Sequence, residues 1–250
     1  MTYSSEHVDA ARIAVEAGHA LLALRAGLQP DADTKSLRDE GDRRSNDLIL
    51  QSLARAYPSD PILSEEARDN LDRVGSRRVW IVDPLDGTRE FGEAGRTDWA
   101  VHVALVVDGF PVAAAVALPA RNLILGMSPP VVLAARNDGA LRIAVSRTRP
   151  PALALDLARE LGAELVPLGS AGVKTMTVAL GEADMYVHAG GQWEWDSAAP
   201  IGVASAAGLH VSRIDGSPIR YNQPSPWLPD QLVCRPELAD RVLEILRRLA

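Results

Sequence analysis

The chain has 250 residues, 47% hydrophobic and 24% charged, with a formal net charge of −7. That suits a globular protein of one large or two packed units with a substantial core. The acidic balance argues against a general nucleic-acid binder, which needs a basic face, but not against a phosphorylated substrate, because bound cations invert the sign of a carboxylate site.

The first helix is expected from Ser4 or Ser5 to Gly27, with Val8, Ala11, Val15, Gly18 and Leu22 on one face. Residues 29–41 read as polar and irregular. A second helix is expected near Asp42, carrying Leu48, Ile49, Leu53 and Ala56 up to Pro58. Pro61-Ile62-Leu63 reads as a strand delivering Ser64-Glu65-Glu66, and Arg78 to Val82 as one delivering Asp83. Trp99, Val101, Val103, Leu105 and Val107 alternate, turn at Asp108-Gly109, and return from Pro111 to Leu118 as a hairpin. Strands near Leu123, Val131 and Leu141 are expected to extend it into a meander. Beyond, helices over 151–161, 170–180, 196–207 and 236–249 alternate with strands over 164–168 and 185–188. Two α/β halves follow, 1–138 and 139–250, with Asn137-Asp138-Gly139 as the junction. The single cysteine, Cys234, permits no internal disulfide and no Cys-rich zinc site. The polar N-terminus lacks an apolar signal core, and no apolar run is long enough to span a bilayer. A cytoplasmic protein with no membrane partner is expected.

Four acidic groups, Glu65, Asp83, Asp86 and Asp196, arrive at ends of predicted elements. Hard divalent cations such as magnesium take oxygen ligands, and four carboxylates with one backbone carbonyl can serve two or three ions. In Asp83-Pro84-Leu85-Asp86-Gly87-Thr88, Pro84 stiffens the strand exit, so that Asp83, Asp86 and the Leu85 carbonyl can face one site. Gly87 and Thr88 can open a helix whose N–H groups meet a phosphate. Singly, each residue has an ordinary reading: Asp86-Gly87 as a turn, Asp196 as a helix cap, Glu65-Glu66 as a solvated pair. A turn needs no second Asp three residues earlier, no Pro between and no Thr after.

Asp83-Pro84-Leu85-Asp86-Gly87-Thr88-Arg89-Glu90-Phe91 resembles the first signature of the inositol monophosphatase superfamily. Trp195-Asp196-Ser197-Ala198-Ala199-Pro200 resembles the second, and Ser64-Glu65-Glu66 an upstream third, in family order. The resemblance implies an α/β (α+β) fold, a layered α-β-α-β-α sandwich. It implies Mg2+ as cofactor, with Glu65, Asp83, the Leu85 carbonyl, Asp86 and Asp196 as ligands. Thr88 would activate water with an Asp of the second helix. Asp42 is chosen for that Asp; Asp39 and Asp47 are nearby alternatives. Gly87, Thr88, Ser170, Lys174 and Asp196 are the implied substrate contacts. A homodimer and lithium sensitivity are also implied.

Arg89-Glu90-Phe91 stands where inositol monophosphatases usually carry Thr-Asn-Phe, and is similar to the 3′-phosphoadenosine-5′-phosphate (PAP) phosphatases of the bacterial CysQ type. The expected reaction is hydrolysis of PAP to AMP and phosphate, without a phosphoenzyme, in support of sulfate assimilation. An inositol-1-phosphate or fructose-1,6-bisphosphate phosphatase, or a non-catalytic magnesium- or nucleotide-binding regulator, are the alternatives. His102 and His188 read as ordinary strand histidines. Trp193 and Trp195 could wall a pocket or simply pack.

Overall fold

Strands that are apolar on both faces need cover on both sides. The computed structural model, which describes residues 3–27, 34–136 and 139–249, supplies it in five layers. In chain order the elements are α1 (Ser4–Ala26), α2 (Thr34–Ala56), β1 (Ile62–Ser64), β2 (Arg78–Asp86), the one-turn α3 (Thr88–Phe91), β3 (Ala100–Val107), β4 (Phe110–Leu118) and β5 (Leu123–Gly126). There follow β6 (Arg142–Ser146), α4 (Ala152–Leu161), β7 (Glu164–Leu168), α5 (Ala171–Ala179), β8 (Met185–Trp193), α6 (Glu194–Ala206), β9 (His210–Ser212), β10 (Trp227–Cys234) and α7 (Ala239–Leu249). One sheet runs β1-β2-β3-β4-β5 and the other β7-β6-β8-β10-β9.

The period-two pleat sends neighbours on β2 to different cores. Trp80 and Val82 join α1 and α2 in one core, with Ile13, Leu21 and Ile49. Val79 and Ile81 join α5, α6 and the inner face of the second sheet, with Met176, Val203 and Tyr186. The outer face of that sheet packs Ile143, Val187 and Leu232 against α4 and α7. The order is therefore helices, sheet, helices, sheet, helices, as expected.

Local readings change in four places. The inward face of α1 is Ala10, Ile13, Ala14, Ala17, Gly18 and Leu21, while Val8 is exposed. Small residues face the sheet because the approach is close: a Cβ on Gly18 would lie 2.7 Å from Pro119 Cγ. The second helix begins at Thr34, not near Asp42; of the stretch expected to be irregular, residues 29–33 lie outside the described residues. Its first turns bury only Leu37 and Gly41 and pair charges outward, as in Lys35–Asp39 at 2.6 Å, so they show no apolar period. Residues around Val131 form no strand, and Leu141 leads into β6 of the second sheet rather than a meander. β8 runs on to Trp193, and α6 begins at Glu194. Of the expected junction, Asn137 and Asp138 lie outside the described residues. Among the described residues no helix is long and apolar enough to cross a membrane.

Candidate active site

The acidic residues converge through strand register. β1 pairs parallel to β2, with Ser64 opposite Val82, which places Glu65 beside Asp83. β2 pairs antiparallel to β3, with Asp83 opposite His102 and Asp86 opposite Ala100. The register slips between them, where Pro84 has no N–H for the ladder. The bulge is pinned on both sides: Ser45 Oγ donates to the Pro84 carbonyl at 2.6 Å, and the Leu85 N–H donates to Asp83 Oδ1 at 3.1 Å. Gly87 follows at φ 87°, a left-handed turn into α3.

Asp86 is the most heavily held. Its Oδ2 accepts from the Gly172 N–H at 2.6 Å and from Ser170 Oγ, and its Oδ1 accepts from the Ala171 N–H at 3.2 Å. The N-terminus of α5, beside the implied substrate contacts Ser170 and Lys174, thus holds a carboxylate of the protein. Ser170 caps that helix by accepting from the Val173 N–H at 2.9 Å. Asp196 lies one turn inside α6, rather than at its cap, with Oδ2 accepting from the Trp193 N–H at 2.6 Å.

These groups press on one another. Asp83 is held well above the usual carboxylate range by burial, then by Glu65, Asp86 and Asp196. Glu65 is open to solvent as a residue, but its carboxyl is crowded by protein. That loss of water, with Asp196 and Asp86, pushes it up to about 8. Burial and Asp86 raise Asp196 to about 6. For Asp86 burial acts upward too, but His102, Ser170 and the Gly172 amide outweigh it and bring it to about 2. Asp83 Oδ2 is buried without a hydrogen-bond partner. An oxygen donor set that repels itself and leaves one buried carboxylate oxygen unmatched suits a hard cation.

His102 is the site residue that sequence reasoning missed. It is fully buried, Nδ1 lies 3.1 Å from the Trp195 carbonyl, and Nε2 lies 3.3 Å from Asp86 Oδ2. Asp83, Asp86 and His102 offer ligand atoms all within 4.8 Å of one another, a cluster able to hold a metal. The available signal was a polar side chain inside the otherwise apolar run 99–107, opposite Asp83.

Thr88 Oγ1 lies 3.0 Å from the Leu85 carbonyl and 3.4 Å from Asp42 Oδ1. Burial first, then Glu66, raise Asp42 to about 7, against the pull of Thr88. Asp39 and Asp47 are turned outward in ion pairs with Lys35 and Arg43. Lys174 is buried, and its Nζ donates to the carbonyls of Gly169 and Ser170 and sits 5.3 Å from the Tyr186 ring centre. Burial lowers its pKa.

Asp86, Gly87, Ser170, Lys174 and Asp196 line one cavity of about 490 Å³, which Trp193 and Trp227 also line. None of Arg89, Glu90 and Phe91 lines it. Arg89 is exposed and Phe91 is in the α1/α2 core. Glu90 is buried against Gly169 and pairs with Arg147 at 2.6 Å.

Residues 5–249 match the inositol monophosphatase family. The chain is 49% identical over 262 residues to the 3′-phosphoadenosine 5′-phosphate phosphatase of Mycobacterium leprae, covering 99% of this chain and 96% of that one. It is 52% identical over 236 residues to the protein of that name from Mycobacterium tuberculosis, covering 91% and 88%. Among solved structures, CysQ from Bacteroides thetaiotaomicron, a bacterial member of the inositol monophosphatase family, superimposes with a TM-score of 0.78 at 26% identity, over 92% of this chain and 97% of that one.

Proposed function

The chain belongs to the inositol monophosphatase family, and from that premise we propose that it removes the 3′-phosphate of PAP, giving AMP and phosphate, in support of sulfate assimilation. The observation that carries the reading is the unmatched Asp83 Oδ2 among Glu65, Asp86 and Asp196, beside a cavity large enough for a nucleotide. The near-50% identity to two named PAP phosphatases supports the substrate.

Glu65, Asp83, the Leu85 carbonyl, Asp86 and Asp196 would hold Mg2+, as two or three ions. Bound there, the cations supply Lewis-acid activation of water and neutralise charge on the phosphoryl oxygens. Of the two Asp86 oxygens, Oδ1 accepts one hydrogen bond, from the Ala171 N–H, and Oδ2 accepts two, from Ser170 and Gly172, so Oδ1 keeps more capacity for a cation. The Leu85 carbonyl has a second lone pair beyond the one facing Thr88. Thr88 and Asp42 orient the attacking water, and Asp42 takes its proton; a carboxyl near 7 suits a base at neutral pH. The Gly87 and Thr88 amides face the phosphate, and Ser170, Lys174 and Asp196 border the rest of the substrate. Water attacks phosphorus, the bond to the 3′-oxygen breaks, and that oxygen leaves with a proton from solvent. The protein works in the cytoplasm as a homodimer.

The test is phosphate release from PAP, inositol 1-phosphate and fructose 1,6-bisphosphate, side by side with magnesium and with added lithium. PAP is expected to give the highest kcat/KM, and lithium to inhibit. A wide margin for inositol 1-phosphate overturns the substrate and leaves the chemistry standing.

A further inference from the structure

We infer that Trp193 and Trp227 form a stacking platform for the purine base of the substrate, and that this platform selects a nucleoside bisphosphate over a base-free sugar phosphate. This rests on the PAP reading above and adds to it the residues that read the base.

Trp193 ends β8, and Trp227 opens β10 directly opposite it in the ladder. Their rings meet edge to face, with centres 5.1 Å apart at 78°, and Trp193 stacks on Trp195 at 5.3 Å and 15°. The Trp227 indole lies over bare backbone. Gly191 has φ 90°, and a Cβ on it would sit 1.6 Å from Trp227 Cζ2, so only glycine admits the ring. Yet the two indoles are 41% and 47% exposed. Leaving such large apolar rings in water forgoes their burial energy. Among the described residues they are the only exposed tryptophans, and both line the same cavity.

The backbone that carries Trp193 is tied to the acidic centre, its main-chain N–H donating to Asp196 Oδ2 at 2.6 Å, and the cavity that both rings line is also lined by Asp86 and Asp196. A phosphomonoester placed at the carboxylates therefore has its leaving group beside these rings. A polyol would call for hydrogen-bonding groups on that wall. A flat π-system suits an indole face, and stacking of this kind tolerates any base.

The experiment compares wild type with Trp227→Leu, Trp193→Leu and the conservative Trp193→Phe. It measures KM for PAP and inhibition constants for AMP and for ribose 5-phosphate. Both leucine variants are expected to raise the AMP inhibition constant and the PAP KM roughly tenfold, the size of one base–aromatic stack. The preference for AMP over ribose 5-phosphate should collapse, and phenylalanine should retain most of it. If wild type hydrolyses PAP and both leucine variants keep its AMP to ribose 5-phosphate ratio, the platform is wrong and the PAP reading stands. If wild type does not hydrolyse PAP, the functional reading itself falls. Should the leucine variants fail to fold, tryptophan fluorescence of wild type decides. Quenching by AMP but not by ribose 5-phosphate supports the platform, and equal response to both overturns it.

Discussion

The carboxylate of Glu90 meets Arg147 Nε at 2.6 Å, joining the turn after Asp86 to the segment after β6. Glu90 lies so close under Gly169 that a Cβ there would be 2.3 Å from its Cδ. Gly169 leads directly to Ser170, whose hydroxyl holds Asp86. Glu90 therefore reaches the acidic centre through Gly169 and Ser170, without facing the cavity. Glu90→Gln should lower kcat/KM for PAP and magnesium affinity together, by about tenfold, as partners behind a metal ligand do. Arg147→Met should give a similar loss, and the double variant little more than either alone. Additive losses would show that the pair does not act as a unit. A buried carboxyl left unpaired in Arg147→Met should also cost several degrees of Tm.

His102 and Gly172 are fitted to each other: a Cβ on Gly172 would sit 1.9 Å from His102 Nε2 and 3.1 Å from Asp86 Oδ2. Both neighbours are buried and cannot step aside. Gly172→Ala must push the imidazole or the carboxylate out of place and disturb the amide that holds Asp86. Magnesium titration by calorimetry should show at least about tenfold weaker binding. Wild-type affinity in a folded Gly172→Ala protein would refute this account of His102.

The four clustered carboxylates were legible because each was expected at the end of an element with a plain apolar pattern, as Asp83 follows 78–82. Two layered α/β halves were legible from the same alternation, and the five-layer order was implied by the family resemblance. What stayed hidden depends on contacts distant in sequence. His102 looks like any strand histidine until the β2–β3 register sets it against Asp83. The partner of Glu90 lies 57 residues away. The start of α2 was hidden for another reason: it packs Gly41 rather than an apolar stripe, since a Cβ there would meet Phe91 at 2.9 Å.

Without metal, the raised carboxyls set the pH dependence of stability. In the unfolded chain they titrate near pH 4, while in the fold Glu65 is raised to about 8 and Asp196 to about 6. Between about pH 4 and pH 8 the native state binds more protons than the unfolded state, so stability falls as pH rises. With a chelator, Tm should therefore drop from pH 5 to pH 8. Magnesium should raise Tm more at pH 8 than at pH 5, because it needs the ligands deprotonated. A magnesium effect on Tm that is equal at both pH values would contradict the arrangement.

Thr88 and Asp42 give the sharpest test of the proton path. Asp42 is on α2, and its Oδ1 stands 3.4 Å from Thr88 Oγ1. Below its pKa, raised to about 7 by burial and Glu66, Asp42 carries a proton and cannot take one from water. The acidic limb of kcat should follow this group, and cations in the adjoining site draw it to lower pH by favouring the carboxylate. Asp42→Asn keeps the shape and removes the base, so kcat should fall about 10²- to 10⁴-fold and the limb should disappear. Thr88→Val removes the hydroxyl that links Asp42 to the Leu85 carbonyl, and should produce a loss in the same range with KM little changed. Asp39→Asn and Asp47→Asn, in exposed pairs with Lys35 and Arg43, should leave kcat within about twofold, since surface pairs contribute little. If Asp39→Asn or Asp47→Asn abolishes turnover while Asp42→Asn is active, the base has been assigned to the wrong turn of the helix.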